Sequence, residues 1–248
     1  MNPTLIQVRH LYAGYNQTAI MEDISFDIRQ GEIFVILGGS GCGKSTVLKH
    51  MIGLIPPISG QVLINGQDMV TAAGDKKNQL LRSIGVAFQN GALFGSMTVL
   101  ENIMLPLKEF TSLPMDAIEA IARVKLSLVH LEQGANLLPD ELSGGMKKRA
   151  AIARAMALDP AILFLDEPSA GLDPLTSAGL DKLILELAAS LNITFVIVTH
   201  ELESILSIAD RTIMLGKETK GIIAQGNPLK LKQDPANPYV YNFFNRKL

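Results

Sequence analysis

The stretch Gly38-Gly-Ser-Gly-Cys-Gly-Lys-Ser-Thr46 constrains this chain more than any other. It has the spacing G-x-x-x-x-G-K-[ST], with Gly38, Gly43, Lys44 and Ser45 at the fixed positions. Glycines remove the Cβ atoms that would hold a polyphosphate away from backbone N–H groups. Lys44 supplies a compact cation for the outer phosphates, and the Ser45 hydroxyl suits Mg²⁺. Glu32-Ile-Phe-Val-Ile-Leu37 ahead of the stretch reads as a strand, and Val47 to Leu54 behind it has helical spacing. Strand, glycine loop and helix N-terminus then form a phosphate cradle from Gly38, Gly39, Ser40, Gly41, Cys42, Gly43, Lys44, Ser45 and Thr46.

The chain has 248 residues, room for one large domain or two small ones, and 48% are apolar, enough for a sizeable core. A net charge of −2 gives no general attraction to nucleic acid or anionic lipid, so no nucleic-acid partner is expected. The single cysteine, Cys42, excludes an internal disulfide and suits a reducing compartment. Its place beside a lysine and a helix N-terminus predicts a reactive thiolate that a bound nucleotide would shield. No signal-peptide pattern opens the chain, and no apolar run approaches the ~20 residues of a spanning helix. A cytoplasmic location follows as the expectation, with any membrane contact made through a partner.

Leu5 to His10 and Met21 to Arg29 alternate as strands do, with Tyr12 to Gln17 between them. Tyr15 can stack on a flat base or simply pack. Gln61 to Met69 predicts a hairpin turning at Asn65-Gly66. Asp75 to Arg82 predicts a short helix or loop, and Ile84 to Phe88 a buried strand. Asn90 to Val129 is mostly helical, in pieces bounded by Pro106 and Pro114, and Lys147 to Leu158 is another helix. Ala161 to Leu165 and Ile193 to Thr199 are continuous apolar runs, as in strands buried on both faces. Between them runs a helix to Leu191. Glu203 to Ala209 predicts a helix, followed by short strands at Arg211 to Leu215 and Ile222 to Ala224.

The strands ending near residues 37, 88, 165 and 199 lead into the glycine loop, Gln89, Asp166-Glu167 and His200. Ligands in open α/β sheets bind beyond the carboxyl ends of parallel strands, so four strand ends converge on one site. Asp166 suits the Mg²⁺ side, with Ser45 and Gln89 as further ligands. Glu167 suits a general base toward water, while His200 and Gln89 can position that water or the outer phosphate. These are the parts of ATP hydrolysis by positioning and electrostatics. Leu142-Ser143-Gly144-Gly145-Met146 opens another helix. Ser143 as a cap of that helix, and Ser143, Gly144 and Gly145 as a grip on a nucleotide held by another copy, are both consistent with the residues.

Taken together, these segments resemble the nucleotide-binding domain of an ATP-binding cassette (ABC) transporter, from about Leu5 to Gly226. Gly38 to Thr46 resembles Walker A, Ile162 to Glu167 Walker B with its glutamate, and Gln89 the Q-loop. Leu142 to Met146 resembles the signature, Ser169 to Asp173 the D-loop and His200 the switch histidine; Tyr15 falls at the base-stacking aromatic. The resemblance implies a P-loop NTPase of α/β class, with a RecA-like core, an antiparallel β subdomain and a helical subdomain over about 90–160. It implies one domain over 1–226 and a tail over 227–248. It also implies a homodimer closing head to tail on two ATP molecules, each held by one copy's Walker A and the other's Ser143 to Gly145. Two positions depart from the pattern: Gly39 replaces a frequent proline, and Met146 replaces the usual signature glutamine, which implies altered communication.

Phe88 to Phe94 together with Leu142 to Met146 is similar to the ATPases of Mla-type systems. These work with Mce-domain proteins and move phospholipids between the inner and outer membranes. That similarity implies a peripheral place on the cytoplasmic side of the inner membrane, a permease dimer and a small STAS-domain partner; Ala92, Leu93, Phe94 and Met97 either line the groove that seats the permease or pack inside the helical subdomain. The other readings are the motor of an importer for a small polar solute, a non-transport ABC ATPase, and a P-loop kinase. The first shares the same core. Non-transport types carry a coiled-coil insertion or a second cassette, and neither is present. A kinase has no use for Ser143 to Met146. The tail carries Tyr239, Tyr241, Phe243 and Phe244, too much apolar surface to stay in water; it docks on its own core or reaches a second copy.

Overall fold

The computed structural model describes residues 2–247; the outermost residues of the two expected segments, 1 and 248, lie outside this range. Two sheets organise the chain. The first is antiparallel, in the order β2 (Thr18–Arg29), β1 (Thr4–Tyr15), β4 (Ser59–Ile64), β5 (Gln67–Asp68). The second is ordered β10 (Ile222–Gly226), β9 (Arg211–Leu215), β3 (Ile33–Gly38), β8 (Thr194–Val198), β7 (Ile162–Asp166), β6 (Ile84–Ala87). All of its pairings are parallel except that of β10 with β9.

The central strands are buried throughout, and their side chains divide between two cores. Phe34, Ile36, Phe164, Val196 and Val198 face the antiparallel sheet and α1 (Lys44–Met51). Val35, Leu37, Leu163, Leu165, Phe195 and Ile197 face the helices. Strict alternation of side chains along an extended strand explains the division, and burial on both faces explains why the sequence shows apolar runs instead of alternation.

β1 and β2 are longer than the sequence suggests: Tyr12 to Tyr15 lies within β1. The turn is confined to Asn16 and Gln17, at φ 47° and 65°, a left-handed pair that suits a tight hairpin. The expected turn at Asn65-Gly66 has φ 50° and 74°.

α2 spans Gly74–Arg82, α3 Val99–Phe110, α4 Met115–Leu128 and α5 Gly144–Ala155. Pro106 lies inside α3 and does not end a helical piece. Burial of Ile103, Met104 and Leu107 around it outweighs the lost N–H. α3 begins with a reciprocal cap: Thr98 Oγ1 accepts the Glu101 N–H at 3.2 Å, and Glu101 Oε2 accepts the Thr98 N–H at 2.8 Å. Pro114 stands at the start of α4, as expected.

α6 (Pro174–Leu191), α7 (Leu202–Ile208), α8 (Pro228–Gln233) and α9 (Pro238–Asn245) complete the chain. α9 buries Val240 and Phe244 in the helix-side core of its own chain, and Tyr239 is the exposed one of the four tail aromatics. Among the described residues no helix is long and apolar enough to cross a membrane.

Candidate functional site

β3, β8, β7 and β6 are parallel, so their carboxyl ends share one edge of the sheet. A cleft of about 390 Å³ lies there, lined by Ile20, Ser40, Gly41, Gly43, Lys44, Ser45, Thr46, Gln89, Glu167 and His200. All four expected strand ends thus reach one place.

The glycine loop is shaped by contact as much as by freedom. Gly43, at φ 104°, stands immediately before α1, and a Cβ there would come 2.9 Å from Ile20 Cγ2. At Gly38 a Cβ would lie 2.6 Å from Cys42 Sγ and 2.7 Å from the Leu215 carbonyl oxygen. No side chain caps α1, which leaves its first N–H groups facing the cleft. Lys44 Nζ donates to the carbonyls of Gly38 at 2.9 Å and Gly39 at 3.2 Å, closing the loop on itself. Tyr15 ends β1 beside α1, where the Thr46 hydroxyl donates to Tyr15 Oη at 3.5 Å; the residue is 40% exposed.

Cys42 corrects an expectation. Its side chain is 1% exposed, with the sulfur turned against Gly38 and away from the cleft. The buried thiol offers a reagent no surface, against the expected reactivity; Cys42 does not line the cleft, and its N–H is given to the Gly39 carbonyl at 3.3 Å.

The Ser45 hydroxyl donates to Asp166 Oδ1 at 3.0 Å. Burial, the largest influence, pushes the Asp166 carboxyl above the ordinary carboxylate range; the Ser45 bond, Lys49 and Lys44 oppose this and Glu167 adds to it. A hydroxyl, a carboxylate and the side-chain oxygen of Gln89 are hard ligands that fit Mg²⁺, and a divalent cation would reverse the cost of the buried charge. Glu167 sits at φ 48°, and its Oε1 lies 2.8 Å from His200 Nδ1. Glu167 Oε2 is buried without a hydrogen-bond partner among the described residues.

Ser143, Gly144 and Gly145 do not line this cleft. Ser143 caps α5 by accepting the Met146 N–H at 3.3 Å, and Gly145 faces the Thr176 methyl, which a Cβ would approach to 2.6 Å. Beyond Gln89 the chain turns Phe94 outward, 51% exposed, and Ala92 is exposed too, whereas Leu93 packs on the core and Met97 is half-buried. Asn102, fully buried, braces this loop: its Oδ1 accepts the Phe94 N–H at 2.8 Å, and its Nδ2 is shared among the carbonyls of Phe94, Met97 and Thr98 at 3.0–3.1 Å.

Sequence reasoning passed over Ile20, Asn102 and Lys148. Lys148 Nζ donates to the Gln89 carbonyl at 2.7 Å and the Glu167 carbonyl at 2.9 Å. The signal for Asn102 was a lone amide amid an apolar helical stripe; Ile20 and Lys148 carried none.

Known proteins resemble this chain in sequence and in fold. The pattern of the ABC transporter family matches residues 21–170. An intermembrane phospholipid transport system ATP-binding protein, MlaF of Haemophilus influenzae, is 38% identical over 94% of this chain and 88% of its own. A probable ribonucleotide transport ATP-binding protein, mkl of Mycobacterium leprae, is 40% identical over 97% of this chain and 68% of its own. Among solved structures, cbiO1 of Clostridium perfringens, part of an ABC transporter complex, superposes with a TM-score of 0.83 at 32% identity, covering 99% of this chain and 96% of that one. The cassette MJ0796, a dimer bound to ADP and phosphate after hydrolysis, superposes at 0.81 with 29% identity over 90% of this chain and 98% of its own. Glycine loop, parallel strand ends and these likenesses agree: the chain belongs to the ABC transporter family, as an ATP-binding, ATP-hydrolysing subunit.

Proposed function

We propose that this ATPase powers the movement of phospholipid, or a related hydrophobic lipid, between inner and outer membranes through a separate permease. The observation that carries the lipid reading is the 38% identity to MlaF over most of both chains. The 40% identity to mkl supports a second reading, a polar solute, though over a smaller share of that relative's length.

The loop from Gly38 to Thr46 holds the phosphates of ATP, and Tyr15 stacks on its base. Ser45, Gln89 and Asp166 would hold Mg²⁺. The ion, when bound, neutralises charge on the outer phosphates. Glu167 takes a proton from the attacking water, while His200 holds Oε1 and so aims the carboxylate. Gln89 orients the same water. Two copies close head to tail, so that Ser143, Gly144 and Gly145 of one copy meet the ATP of the other; the dimeric likeness of MJ0796 supports this. Residues 1–226 act as one ATPase domain whose part over about 90–160 forms the helical subdomain, with 227–248 a tail whose α9 packs on this chain's own core through Val240 and Phe244. The exposed Phe94 loop receives the permease, which holds the ATPase at the cytoplasmic side of the inner membrane. An Mce-domain protein and a small STAS-domain protein complete the assembly.

Purification from native membranes in mild detergent, with mass spectrometry of bound proteins and lipids, tests the proposal. A multi-spanning permease with an Mce-domain protein and enriched phospholipid is expected. A permease with a solute-binding protein and no enriched lipid replaces the lipid reading by the polar-solute one. Soluble partners alone overturn transport.

A further inference from the structure

The ammonium of Lys148 touches the two catalytic loops at once. It lies on α5, just after the helix turn that opens with Ser143 to Gly145. The acceptors of its two bonds are main-chain carbonyls in loops leaving adjacent parallel strands, β6 and β7. A side-chain carboxylate in either place would make an ion pair; here the cation is spent on backbone position instead. Charge-assisted donation to a carbonyl is about twice as strong as a neutral bond, and fixing a peptide oxygen fixes the direction in which that residue's side chain leaves the chain.

The need for such a brace is visible at Glu167. Its φ of 48° is a conformation that β-carbon-bearing residues rarely adopt, so surrounding contacts must maintain it. The Glu167 N–H donates to the Val198 carbonyl at 2.8 Å, tying it to β8. Its carbonyl receives the Ala170 N–H at 3.2 Å and Lys148 Nζ at 2.9 Å. Lys148 is the contact that comes from the helical side. On the same helix, Arg154 donates to the carbonyls of Gly91 at 3.0 Å and Ala92 at 2.7 Å. α5 therefore grips the segment after β6 at three carbonyls, and of the two cations that do so Lys148 alone also reaches the glutamate. Burial lowers the proton affinity of the Lys148 ammonium, and the nearby carboxylates of Glu167 and Asp166 oppose that loss, so the cation is held in place at a cost in desolvation.

We propose that Lys148 is a positioning residue for ATP hydrolysis: it locks the backbones of Gln89 and Glu167 into one register and ties both to α5, so that a shift of the helix carrying Ser143 moves water-orienting amide and base together. The inference rests on the reading of Gln89 and Glu167 given above. It gives α5 a second task, as the rod that passes the state of the neighbouring copy's nucleotide to this copy's base.

The test is steady-state ATP hydrolysis by the full-length chain carrying Lys148→Met or Lys148→Arg, with ATP affinity and unfolding midpoint measured beside it. Methionine keeps the length and loses the donors; arginine keeps a cation able to reach two carbonyls. Misplacing a reacting group by about 1 Å can cost ~100-fold, so a fall in kcat of about tenfold or more is expected for Lys148→Met. KM for ATP should stay within about threefold, since the phosphate loop is untouched. Lys148→Arg should recover most of kcat. Unchanged kcat in Lys148→Met overturns the proposal. So does a rise in KM that matches the loss of kcat, or an equal loss in both variants that follows a fall in unfolding midpoint. Glu167→Gln serves as the control: wild-type turnover in that variant removes the reading of the base itself, whatever Lys148 does.

Discussion

Ser45 Oγ and Asp166 Oδ1 lie 3.0 Å apart although 121 residues separate them in the chain. One comes from the loop after β3 and the other from the end of β7, with β8 lying between the two strands. The pair is the joint at which the phosphate loop meets the acidic strand end. Removing the hydroxyl leaves a buried carboxylate with one donor fewer and takes away an oxygen suited to Mg²⁺. Ser45→Ala should therefore lose about tenfold or more in affinity for ATP with Mg²⁺ while binding metal-free ATP nearly as before. Nucleotide titrations with and without Mg²⁺ check this; an equal loss in both conditions assigns Ser45 to the phosphates alone.

Glu167→Gln keeps the shape of the side chain and removes its basicity. Turnover should fall by about 10²–10⁴-fold with ATP affinity preserved, because the phosphate loop does not depend on this carboxylate. Single-turnover hydrolysis with radiolabelled ATP measures it. A variant that hydrolyses at the parent rate shows that the base lies elsewhere.

Asn102 spends its whole amide on the Phe94 to Thr98 loop and has no access to water. Asn102→Ala leaves several backbone groups there without a partner, at about 1–3 kcal/mol for the desolvated groups, and should lower stability by about 2–4 kcal/mol. Chemical denaturation gives the value, and limited proteolysis should show new cleavage between Phe94 and Thr98. A stable, protease-resistant variant would mean that the loop holds itself.

Asp181 is buried on α6, where burial, the largest influence, raises its carboxyl above the ordinary aspartate range; Ser204 and Ser207 oppose the shift and Glu201 adds to it. A carboxyl raised in the folded chain binds its proton more readily there than in the unfolded one. Its stabilising contribution is present below the unfolded value and lost as pH climbs through the folded value. Asp181→Asn should therefore be more stable than the parent at neutral pH, with the gap closing in acid. Unfolding curves across that range decide it; a gap that widens in acid has the wrong sign.

The glycine loop was legible because its meaning lies in consecutive residues. Backbone torsion at Gly43 and the donors of Lys44 and Ser45 depend on neighbours a few positions away. The strand-end regularity was legible for a similar reason, since apolar runs stopping at Gln89, Glu167 and His200 are visible without any pairing. The fate of Cys42 was not legible. Its neighbours in sequence predict a reactive thiol, but Gly38 and the close pass of Leu215 decide where the sulfur lies. Pro106 misled for the same reason, as the packing that carries α3 through it comes from residues far along the chain.

By itself the sequence determined the family, the α/β class, the phosphate loop and the residues at the four strand ends. Tertiary structure alone decided the order β3-β8-β7-β6, the docking of α9 through Val240 and Phe244, and the bridge from Lys148 to Gln89 and Glu167. The reason is physical. A motif is a local geometry that its own residues enforce, whereas fully buried strands are interchangeable apolar runs whose neighbours are chosen only when the whole core packs. Lys148 lies 59 residues from Gln89 and 19 from Glu167, and its role exists only once that choice has placed both carbonyls within reach of one ammonium.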